Sequence, residues 1–377
     1  MSNFKLFIRN LIKAILQFGI LPIVYKVYKK KNIQENLVIF ADSKNDGMPY
    51  SMFAMYKTIN NTGKYEVKIL CSDYSKLNIL EKAKAINRFM KLYANAKYVF
   101  ICDYFLPVSS CNKRKETKVI QLWHASGVLK KFGYDAYDDL KGKKYFHNPT
   151  KNMDYIFVSS DFCVEFFCSA FNFKKDKVVP LGTSRTDLLF EEEYRKRCIF
   201  NFYKKYPNLK EKKIILWAPS FRGNIAGLFL NGYEEIKKLQ KKLPEEYKVI
   251  IKVHPHLKDK YGIDNCDIAT NELYPVADLL ITDYSSILFD FILLKKKIIL
   301  FVPDYEEYKN SRGIYIDVKK EFDFSIVIKN EDLSYLVMKQ MENSNYYKNY
   351  EEYKNKFLIN CNGKVSERIL NFLNLDK

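Results

Sequence analysis

The stretch ADLLITDYSSILFDFILL, residues 277–294, contains the change of pattern on which our fold prediction depends. A short apolar run ends in a polar turn with two adjacent serines, and a second apolar run follows directly. The first run is typical of a buried strand, and serine is a residue with which helices begin. The stretch therefore predicts a strand that passes directly into a buried helix, which is the repeating unit of a parallel α/β sheet.

The same succession of apolar run and helix extends along the chain on both sides of that stretch. Helical segments such as Ser75–Tyr93 and Asp161–Phe171 separate apolar runs that lack the alternation of a half-exposed strand. The runs are NLVIFADS (36–43), YEVKILCSD (65–73), AKYVFICDYF (96–105), TKVIQLWHAS (117–126), MDYIFVSSDF (153–162), KKIILWAPSFRG (212–223), YKVIIKVHPHL (247–257), CDIATN (266–271) and KKIILFVPD (296–304). We therefore predict an α/β protein with two facing, Rossmann-type, doubly wound domains.

The length of the chain and one charged segment set the predicted domain boundaries. A chain of 377 residues exceeds one ordinary core, and the pattern restarts after a highly charged helical segment. We predict an N-terminal segment over 1–31, an N-terminal domain over 32–190, a connector over 191–211, a C-terminal domain over 212–350, and a C-terminal helix over 351–377. One option for the last helix is a return to the N-terminal domain.

The composition indicates a basic globular protein. The chain has 63 Lys and Arg against 44 Asp and Glu, a formal charge of +19, which attracts nucleic acid, an anionic membrane or phosphorylated substrates. An aromatic content of 16% excludes simple disorder. The eight cysteines are scattered, without a C-x-x-C and without a zinc-type spacing of His and Cys, so we expect reduced cysteines in a cytoplasmic protein.

The N-terminal segment NFKLFIRNLIKAILQFGILPIVYKVYKKK, residues 3–31, resembles a signal peptide or a membrane span at first sight. Its longest uncharged part is Ala14–Tyr25, which is shorter than the roughly 20 residues of a spanning helix. On a helical wheel Phe4, Phe7, Ile8, Leu11, Ile12, Ile15 and Phe18 share one side, and Lys5, Arg9, Lys13 and Gln17 share the other. With the trailing lysines, this pattern predicts a helix in the membrane interface; the alternative is an amphipathic helix packed on the body of the protein.

Four predicted strand ends carry polar side chains, and doubly wound sheets bind ligands beyond such ends. They are Trp123–Gly127, Ala218–Arg222, Lys252–His256 and Ile281–Ser286. Arg222 suits bidentate binding of phosphate or a surface ion pair. The hydroxyls of Ser285 and Ser286 suit either a phosphate or the cap of the next helix, and Asp290 suits either a ribose or a loop contact.

Two histidines stand at these strand ends. His124 lies between Trp123 and Gly127 at a turn, and imidazole is the natural base for a hydroxyl near neutral pH. His254 precedes Pro255 and on its own is more typical of a structural histidine. Since the chain has no G-x-x-x-x-G-K-[ST] and no G-x-G-x-x-G, the P-loop and dinucleotide classes are excluded. The residues themselves predict an α/β protein with a cleft that suits phosphate.

Together the motifs resemble those of the CDP-glycerol glycerophosphotransferase family, the primases and polymerases of teichoic acid and related capsules. Trp123–Ser126 is similar to the family's W-H-G-[TS], Ala218–Arg222 to A-P-[ST]-x-R, His254-Pro255 to H-P, and Ile281–Ser286 with Phe289-Asp290 to [IL]-T-D-Y-S-S followed by F-D. Gly182, Arg185 and Asp187 resemble G-x-x-R-x-D, and residues 304–317 resemble D-x-E-x-Y…R-G-x-Y. The resemblance extends over residues 36–370.

One departure from the family pattern concerns the substrates. Ala125 replaces the usual Gly, and Ser126-Gly127 replaces Thr-Pro. The variant suggests a different acceptor or alditol, so glycerol phosphate and ribitol phosphate remain alternatives. The chain is short for a polymerase with an accessory domain, which favours a primase or a compact transferase.

The resemblance implies a GT-B-like fold with an active site between the domains. An alditol phosphate would pass from a CDP-alditol to a hydroxyl of a polyprenyl-linked teichoic acid or capsule precursor, and CMP would be released. It implies His124 as general base and His254 as a donor to the departing phosphate. The expected substrate-binding residues are Ser126, Gly127, Arg185, Ser220, Arg222, Thr282, Asp283, Ser285, Ser286 and Asp290.

Expectations about partners and location follow from the same resemblance. We expect no cofactor and no obligatory metal. The expected partners are the CDP-alditol donor, a lipid-linked saccharide acceptor and the anionic inner membrane surface, with the protein peripheral on the cytoplasmic face of the cell membrane; the oligomeric state is open. Nucleic acid is not expected, because no nucleic-acid module is recognisable. The alternatives are a GT-B nucleotide-sugar glycosyltransferase and a basic, non-enzymatic protein that binds membrane or nucleic acid.

Overall fold

The structure, a computed structural model, contains two parallel β-sheets with helices on both faces. It describes residues 8, 11–136, 148–223, 228–253, 255–264, 266–328 and 332–376. The strands are β1 Gln34–Asp42, β2 Glu66–Cys71, β3 Ala96–Ile101, β4 Lys118–Gln121, β5 Tyr155–Phe157, β6 Val178–Val179, β7 Lys213–Trp217, β8 Tyr247–Ile251, β9 Leu279–Thr282, β10 Lys297–Phe301 and β11 Ser325–Val327. The prediction of two doubly wound α/β domains is confirmed.

The α-helices alternate with these strands. They are α1 Leu21–Tyr28, α2 Tyr50–Asn61, α3 Ile79–Tyr93, α4 Leu106–Ser109, α5 Val164–Phe171, α6 Asp187–Phe190, α7 Glu192–Lys205, α8 Tyr233–Lys242, α9 Pro255–Tyr261, α10 Thr270–Leu273, α11 Ile287–Leu293, α12 Tyr305–Ser311, α13 Val318–Glu321, α14 Leu333–Glu342, α15 Tyr350–Phe357 and α16 Val365–Phe372. A π-helical turn, Leu16–Ile20, precedes α1 without a break.

The two sheets have the same topology. The N-terminal sheet has the order β2-β1-β3-β4-β5-β6, and the C-terminal sheet has the order β11-β10-β9-β7-β8, with every pair parallel. In each sheet the strand order reverses between the first and third strands, β1 and β3 or β7 and β9. Doubly wound sheets bind ligands beyond the carboxyl ends of the strands at this switch point.

One predicted strand is wrong, and two short strands, β6 and β11, were missed. Residues 266–271 form no strand; Cys266 donates its N–H to the carbonyl of Ile251, and the chain then enters α10. The fifth strand of the C-terminal sheet is β11, which pairs with β10 at the opposite edge. A strand of three residues is too short to produce a recognisable periodicity, so its pairing partner decides its conformation.

A continuous apolar core joins the two domains. The largest buried cluster includes Val99 and Trp123 of the N-terminal domain together with Leu280 and Phe289 of the C-terminal domain. A second cluster covers one face of the C-terminal sheet, and a third covers one face of the N-terminal sheet. The core that joins the domains therefore passes close to the predicted strand ends.

The last helix, α16, packs on the N-terminal domain. Val365 and Ile369 belong to the same buried cluster as Val38 of β1. The carboxylate of Asp187 accepts the N–H groups of Val365 at 3.0 Å and Ser366 at 2.7 Å, and so caps the first turn of α16. Asp187 of the G-x-x-R-x-D motif thus binds the start of α16 to the N-terminal domain.

The N-terminal helix leaves its apolar side uncovered. Leu21 and Tyr25 are buried against the body, whereas Ile12, Phe18 and Ile23 are 52%, 55% and 66% exposed. The described part of this helix therefore packs on the body with one side and leaves the side of Ile12, Phe18 and Ile23 exposed. Both the membrane-interface helix and the helix packed on the body remain compatible with this arrangement. Residues Leu11–Tyr28 are long and apolar enough to cross a membrane, by length and composition alone. The length of the segment therefore does not exclude a membrane span, contrary to the expectation from the sequence.

Gln17 differs from its prediction. The helical wheel grouped it with the charged residues Lys5, Arg9 and Lys13, but it is buried and its Nε2 donates to the carbonyl of Ser109 at 3.4 Å. Because Gln17 is uncharged, one hydrogen bond to a backbone carbonyl offsets much of the cost of burying its amide. Phe4, Lys5, Phe7 and Arg9 of the predicted wheel lie outside the described residues.

Candidate active site

Polar side chains lie at the switch point of each sheet. In the N-terminal domain Asp42 ends β1 and Asp103 follows β3. In the C-terminal domain Ser220 follows β7 and Asp283 follows β9. The two edges approach each other, since Lys130 of the N-terminal domain lies 3.4 Å from Ser220, Nζ to Oγ. The candidate site is therefore the space between two switch points.

A strained turn fixes the position of His124. Trp123 has a φ of +54°, which is unusual for a bulky residue, and its N–H donates to Oε1 of Gln121 at 2.9 Å. The indole packs against Phe171 and lies 4.2 Å from the imidazole of His124, measured between ring centroids. Packing of the indole holds this turn in place, and the turn directs the imidazole into the space between the domains.

The hydrogen bond of His124 determines which nitrogen can act as a base. Nδ1 lies 3.1 Å from the carbonyl oxygen of Cys102, so Nδ1 carries the hydrogen and Nε2 keeps its lone pair in the neutral ring. Desolvation by the surrounding protein lowers the pKa of His124, and the carboxylate of Asp103 opposes part of that shift. The imidazole is therefore neutral near pH 7, the state that a general base requires.

A cavity of about 300 Å³ opens beside His124. Both domains contribute to its wall, which includes Asp42, Asn45, Tyr50, Cys102, Asp103, His124 and Arg185 from the N-terminal domain and Thr270, Asn271 and Tyr274 from the C-terminal domain. Of the predicted site residues, His124 and Arg185 line it. This volume is at the lower end of the range for small-molecule sites.

Arg185 and Asp290 form a buried ion pair between the domains. Nη1 of Arg185 donates to Oδ1 of Asp290 at 2.8 Å, and Nη2 donates to Oδ2 at 3.0 Å. Burial alone would lower the pKa of Arg185, but the charge of Asp290 outweighs it and leaves the pKa raised, so the guanidinium stays charged. Both were expected to contact substrate, Asp290 at a ribose. In the structure each carboxylate oxygen of Asp290 accepts a hydrogen bond from Arg185. The expected contacts of both residues with substrate stay predictions.

Arg222 also has carboxylate partners where a phosphate was expected. Its Nε donates to Asp304 at 2.5 Å, its Nη2 lies 2.9 Å from Asp283, and its guanidinium stacks over Tyr308 at 4.5 Å. Burial would lower the pKa of Arg222, but the charge of Asp283 and the contact with Asp304 leave it raised. Two carboxylates around one guanidinium give the cluster a net negative charge. The expected role of Arg222 as a phosphate ligand stays a prediction.

The other residues of the C-terminal switch point hold the strand ends together. The hydroxyl of Thr282 donates to the carbonyl of Ala218 at 2.7 Å, and Oδ1 of Asp283 accepts the N–H of Ser220 at 2.9 Å. Thr282 and Asp283 are buried, and these bonds connect β9 to the segment after β7. Their side chains thus have structural partners, and Ser220 presents its hydroxyl towards Lys130.

Ser285 and Ser286 lie half-buried at the start of α11. The hydroxyl of Ser286, the residue before the helix, makes no capping hydrogen bond. The capping alternative is therefore wrong for Ser286. The phosphate alternative stays a prediction.

Ser126 and Gly127 lie at the contact between the domains. Oγ of Ser126 is buried 2.8 Å from Oγ1 of Thr183. Gly127 has a φ of +62°, and a Cβ at this position would lie 2.4 Å from the ring of Phe289 on α11. Glycine is therefore required by both the backbone conformation and the close approach of the C-terminal domain.

The second predicted catalytic residue, His254, lies outside the described residues. Sequence reasoning also missed three residues that the geometry brings to the site. Lys130 follows the Trp123–Gly127 turn, and Asp42 and Asp103 end two of the predicted strands. Attention to every strand end, and not only to those with histidine, arginine or serine, would have found both carboxylates.

Comparison with known proteins gives one family match. Residues 23–375 match the model of the family described as CDP-glycerol:poly(glycerophosphate) glycerophosphotransferase. The chain is 28% identical to the teichoic acid ribitol-phosphate primase of Bacillus spizizenii, with 98% of this chain and 97% of the relative covered. It is 30% identical to the teichoic acid glycerol-phosphate primase of Bacillus subtilis, with 78% of each covered. It spans 59% of the poly(ribitol-phosphate) polymerase of Bacillus spizizenii, at 29% identity.

Solved structures show the same fold. The wall teichoic acid polymerase TagF superimposes with a TM-score of 0.73 at 20% identity, covering 99% of this chain and 97% of that chain. The S. aureus MnaA–UDP co-structure superimposes with a TM-score of 0.55 at 15% identity, covering 90% and 97%. Both likenesses concern the arrangement of two facing α/β domains.

Proposed function

The chain belongs to the CDP-glycerol:poly(glycerophosphate) glycerophosphotransferase family, and on that premise we propose that it transfers an alditol phosphate from a CDP-alditol to a hydroxyl of a lipid-linked acceptor and releases CMP. It is an enzyme of the class that includes teichoic acid glycerol- and ribitol-phosphate transferases. Glycerol phosphate and ribitol phosphate are both candidate groups, because relatives of both kinds match the chain.

The observation that carries this proposal is the state of His124 between the two domains. Its Nδ1 is bonded to the Cys102 carbonyl, and its pKa is lowered, so Nε2 is free to take a proton at neutral pH. In the proposed step the acceptor oxygen forms a bond to the phosphorus that carries the alditol. The bond from that phosphorus to the bridging oxygen breaks, CMP leaves with that oxygen, and the acceptor proton passes to Nε2.

The donor is proposed to lie against the C-terminal switch point. The half-buried hydroxyls of Ser285 and Ser286 and the ammonium of Lys130 near Ser220 are the described groups that suit its pyrophosphate. His254 as donor to the departing phosphate stays a prediction from sequence. Independence from a resident metal also stays a prediction, which a rate unchanged by EDTA would support.

The uncovered side of the N-terminal helix supports a place at the membrane. Ile12, Phe18 and Ile23 point away from the body, while Gln17 and Tyr25 hold the other side of the helix to it. Burial of such a side in the interface between headgroups and acyl chains is favourable, and Lys29 to Lys31 add attraction to anionic lipid. We propose that the protein binds the inner membrane surface in this way, where a lipid-linked acceptor would be carried.

The test is a turnover assay with purified protein, a short-chain lipid acceptor and a panel of CDP-glycerol, CDP-ribitol and UDP-sugars. We expect CMP release with a CDP-alditol and no UDP release. His124→Ala should lose at least 100-fold in rate, since general-base catalysis contributes about 10²–10⁴-fold. Lys196→Ala, which alters an exposed side chain of α7, is the control. A folded His124→Ala protein that keeps the parent rate would contradict the assignment of the base.

A further inference from the structure

The cavity beside His124 contains polar groups that the proposed transfer leaves unassigned. Asp42 and Asp103 form one side of it, and Asn271 of α10 approaches from the other domain. Asp42 and Asp103 lie at the switch point of the N-terminal sheet, whereas Ser285 and Ser286, which are proposed for the pyrophosphate, lie at that of the C-terminal sheet. The question is which part of a substrate such a wall would accept.

The charges around the cavity disfavour a phosphate. Its two carboxylates are Asp42 and Asp103, and the nearby cations are already paired: Arg185 with Asp290, and Lys44 with Asp103. With His124 neutral, the group of five charged side chains retains one net negative charge. A phosphate placed here would be repelled, because like charges in a desolvated site disfavour each other.

The hydrogen-bonding capacity of the wall suits hydroxyl groups. Oδ2 of Asp42 accepts the N–H of Lys44 at 2.9 Å and both the N–H and Nδ2 of Asn45 at 2.8 Å. Within the described part of the chain, Oδ1 of Asp42 has only a thiol contact, with Sγ of Cys102 at 3.9 Å. Asp42 is 3% exposed, so a carboxylate oxygen without a strong donor is costly there unless a ligand supplies one.

Two donors in the same wall also lack acceptors. Oη of Tyr50 and Nε of Arg185 are buried and have no hydrogen-bond partner among the residues that the structure describes. A hydroxyl group is both a donor and an acceptor, so a chain of hydroxyls can satisfy the carboxylate and these donors together. A phosphodiester or an ionised carboxylate, which only accepts, cannot.

We propose that this cavity binds the uncharged polyol end of a substrate, with Asp42 accepting a hydroxyl next to the one that reacts at Nε2 of His124. This inference rests on the proposed function for the identity of the polyol. Two parts of the proposed substrates carry such a run of hydroxyls: the free end of the acceptor and the alditol arm of the donor. Asp42 is then a specificity-determining residue as well as the acceptor for the loop at Lys44 and Asn45.

The variant Asp42→Asn separates the two roles of this residue. Its carbonyl oxygen can replace Oδ2 and keep the bonds to Lys44 and Asn45, while its amide group replaces Oδ1 and turns an acceptor into a donor. Asp154→Asn is the matched control, because Asp154 also accepts a backbone N–H, from Val119 at 2.7 Å, but lies at the amino ends of β4 and β5, whereas Asp42 lies at the carboxyl end of β1.

Binding is measured without turnover from the imidazole signals in ¹H–¹⁵N spectra of the full chain, which has four histidines. The His124 signal is identified by its loss in His124→Gln. Ribitol and glycerol should shift that signal, and inorganic phosphate should not. Asp42→Asn should weaken ribitol binding by about 10- to 100-fold, the usual loss for one hydrogen bond to a charged group, and Asp154→Asn should not change it.

Two results would overturn the inference: phosphate that shifts the His124 signal as strongly as ribitol does, or an Asp42→Asn protein that binds ribitol like the parent. A parent that binds ribitol but releases no CMP from any CDP-alditol would contradict the proposed function and leave the polyol cavity standing. In a parent that turns over, a higher KM of Asp42→Asn for the acceptor alone assigns the acceptor end, and a higher KM for the CDP-alditol alone assigns the donor arm. Two unchanged KM values count against the cavity.

Discussion

Replacement of Asp290 by Ala is expected to lower the free energy of unfolding by about 3–5 kcal/mol. The side chains of Arg185 and Asp290 are 6% and 1% exposed, and two hydrogen bonds of 2.8 and 3.0 Å join them. Without Asp290 the guanidinium keeps a bond to Ser126 at 3.3 Å and the face of Tyr50 at 5.2 Å, neither of which carries a negative charge. The cost is therefore that of a buried, unpaired cation and not that of a lost surface contact.

The measurement is equilibrium unfolding in urea, followed by fluorescence and by circular dichroism. The control is Glu192→Ala, which removes an i,i+4 pair with Lys196 whose side chains are 69% and 75% exposed, and which should cost less than about 1 kcal/mol. The double variant Arg185→Met/Asp290→Leu removes both charges and should recover most of the loss, because an apolar pair needs no compensating charge.

A loss below about 1 kcal/mol in Asp290→Ala would refute this account of the ion pair. The sequence-based alternative gives a different pattern. If Asp290 served the ribose of the donor, the variant would lose affinity for the CDP-alditol, measured by calorimetry, while its unfolding free energy stayed at the parent value.

Three further predictions concern the approach of the domains, the base and the membrane. Gly127→Ala should destabilise the protein by about 1–3 kcal/mol in calorimetric unfolding, since its Cβ would lie 2.4 Å from the ring of Phe289. The second substitution Phe289→Leu should restore part of that loss. An unchanged stability of Gly127→Ala would contradict the close approach of the two domains. The acidic limb of kcat/KM should have a midpoint below about 6.5, because the rate falls as His124 becomes protonated and desolvation by the neighbouring protein lowers its pKa. Asp103→Asn, which removes a charge that raises that pKa, should move the limb to still lower pH, and a limb that moves upward would refute the arrangement. Ile23→Glu should weaken sedimentation with anionic liposomes at an unchanged melting temperature, because that side chain is 66% exposed; equal sedimentation would argue against the helix as the contact.

Much of the architecture could be predicted because the strands that are buried on both faces appear in the sequence as uninterrupted apolar runs. The runs that became β1, β3, β4, β7, β9 and β10 are of this kind. β11 and the segment at 266–271 were misjudged, since a short edge segment takes its conformation from its neighbour and carries little signal of its own.

The candidate site could be located from sequence, but the partners of its charged residues could not. Arg222 stands at a strand end where a guanidinium suits phosphate and carboxylate equally well, and its partner Asp304 is 82 residues away. The same applies to Arg185 and Asp290, which are 105 residues apart. Motif residues of this kind identify a family without saying whether they bind a substrate or hold two domains together.

Gln17 illustrates a further limit. A helical wheel separates two sides of a helix, but it does not say which of them faces the protein. The amide of Gln17 and the carbonyl of Ser109 settle the orientation, and that contact spans 92 residues.

The position of α16 bears on how the chain folds while it is being synthesised. Part of one face of the N-terminal sheet is covered by Val365, Ile369 and Leu373, so the first domain to leave the ribosome stays incomplete until these residues have emerged. All six strands of the N-terminal sheet precede residue 180, so what this domain awaits is a helix. We expect folding to include a late closing step, in which α16 docks and Asp187 receives its two backbone donors.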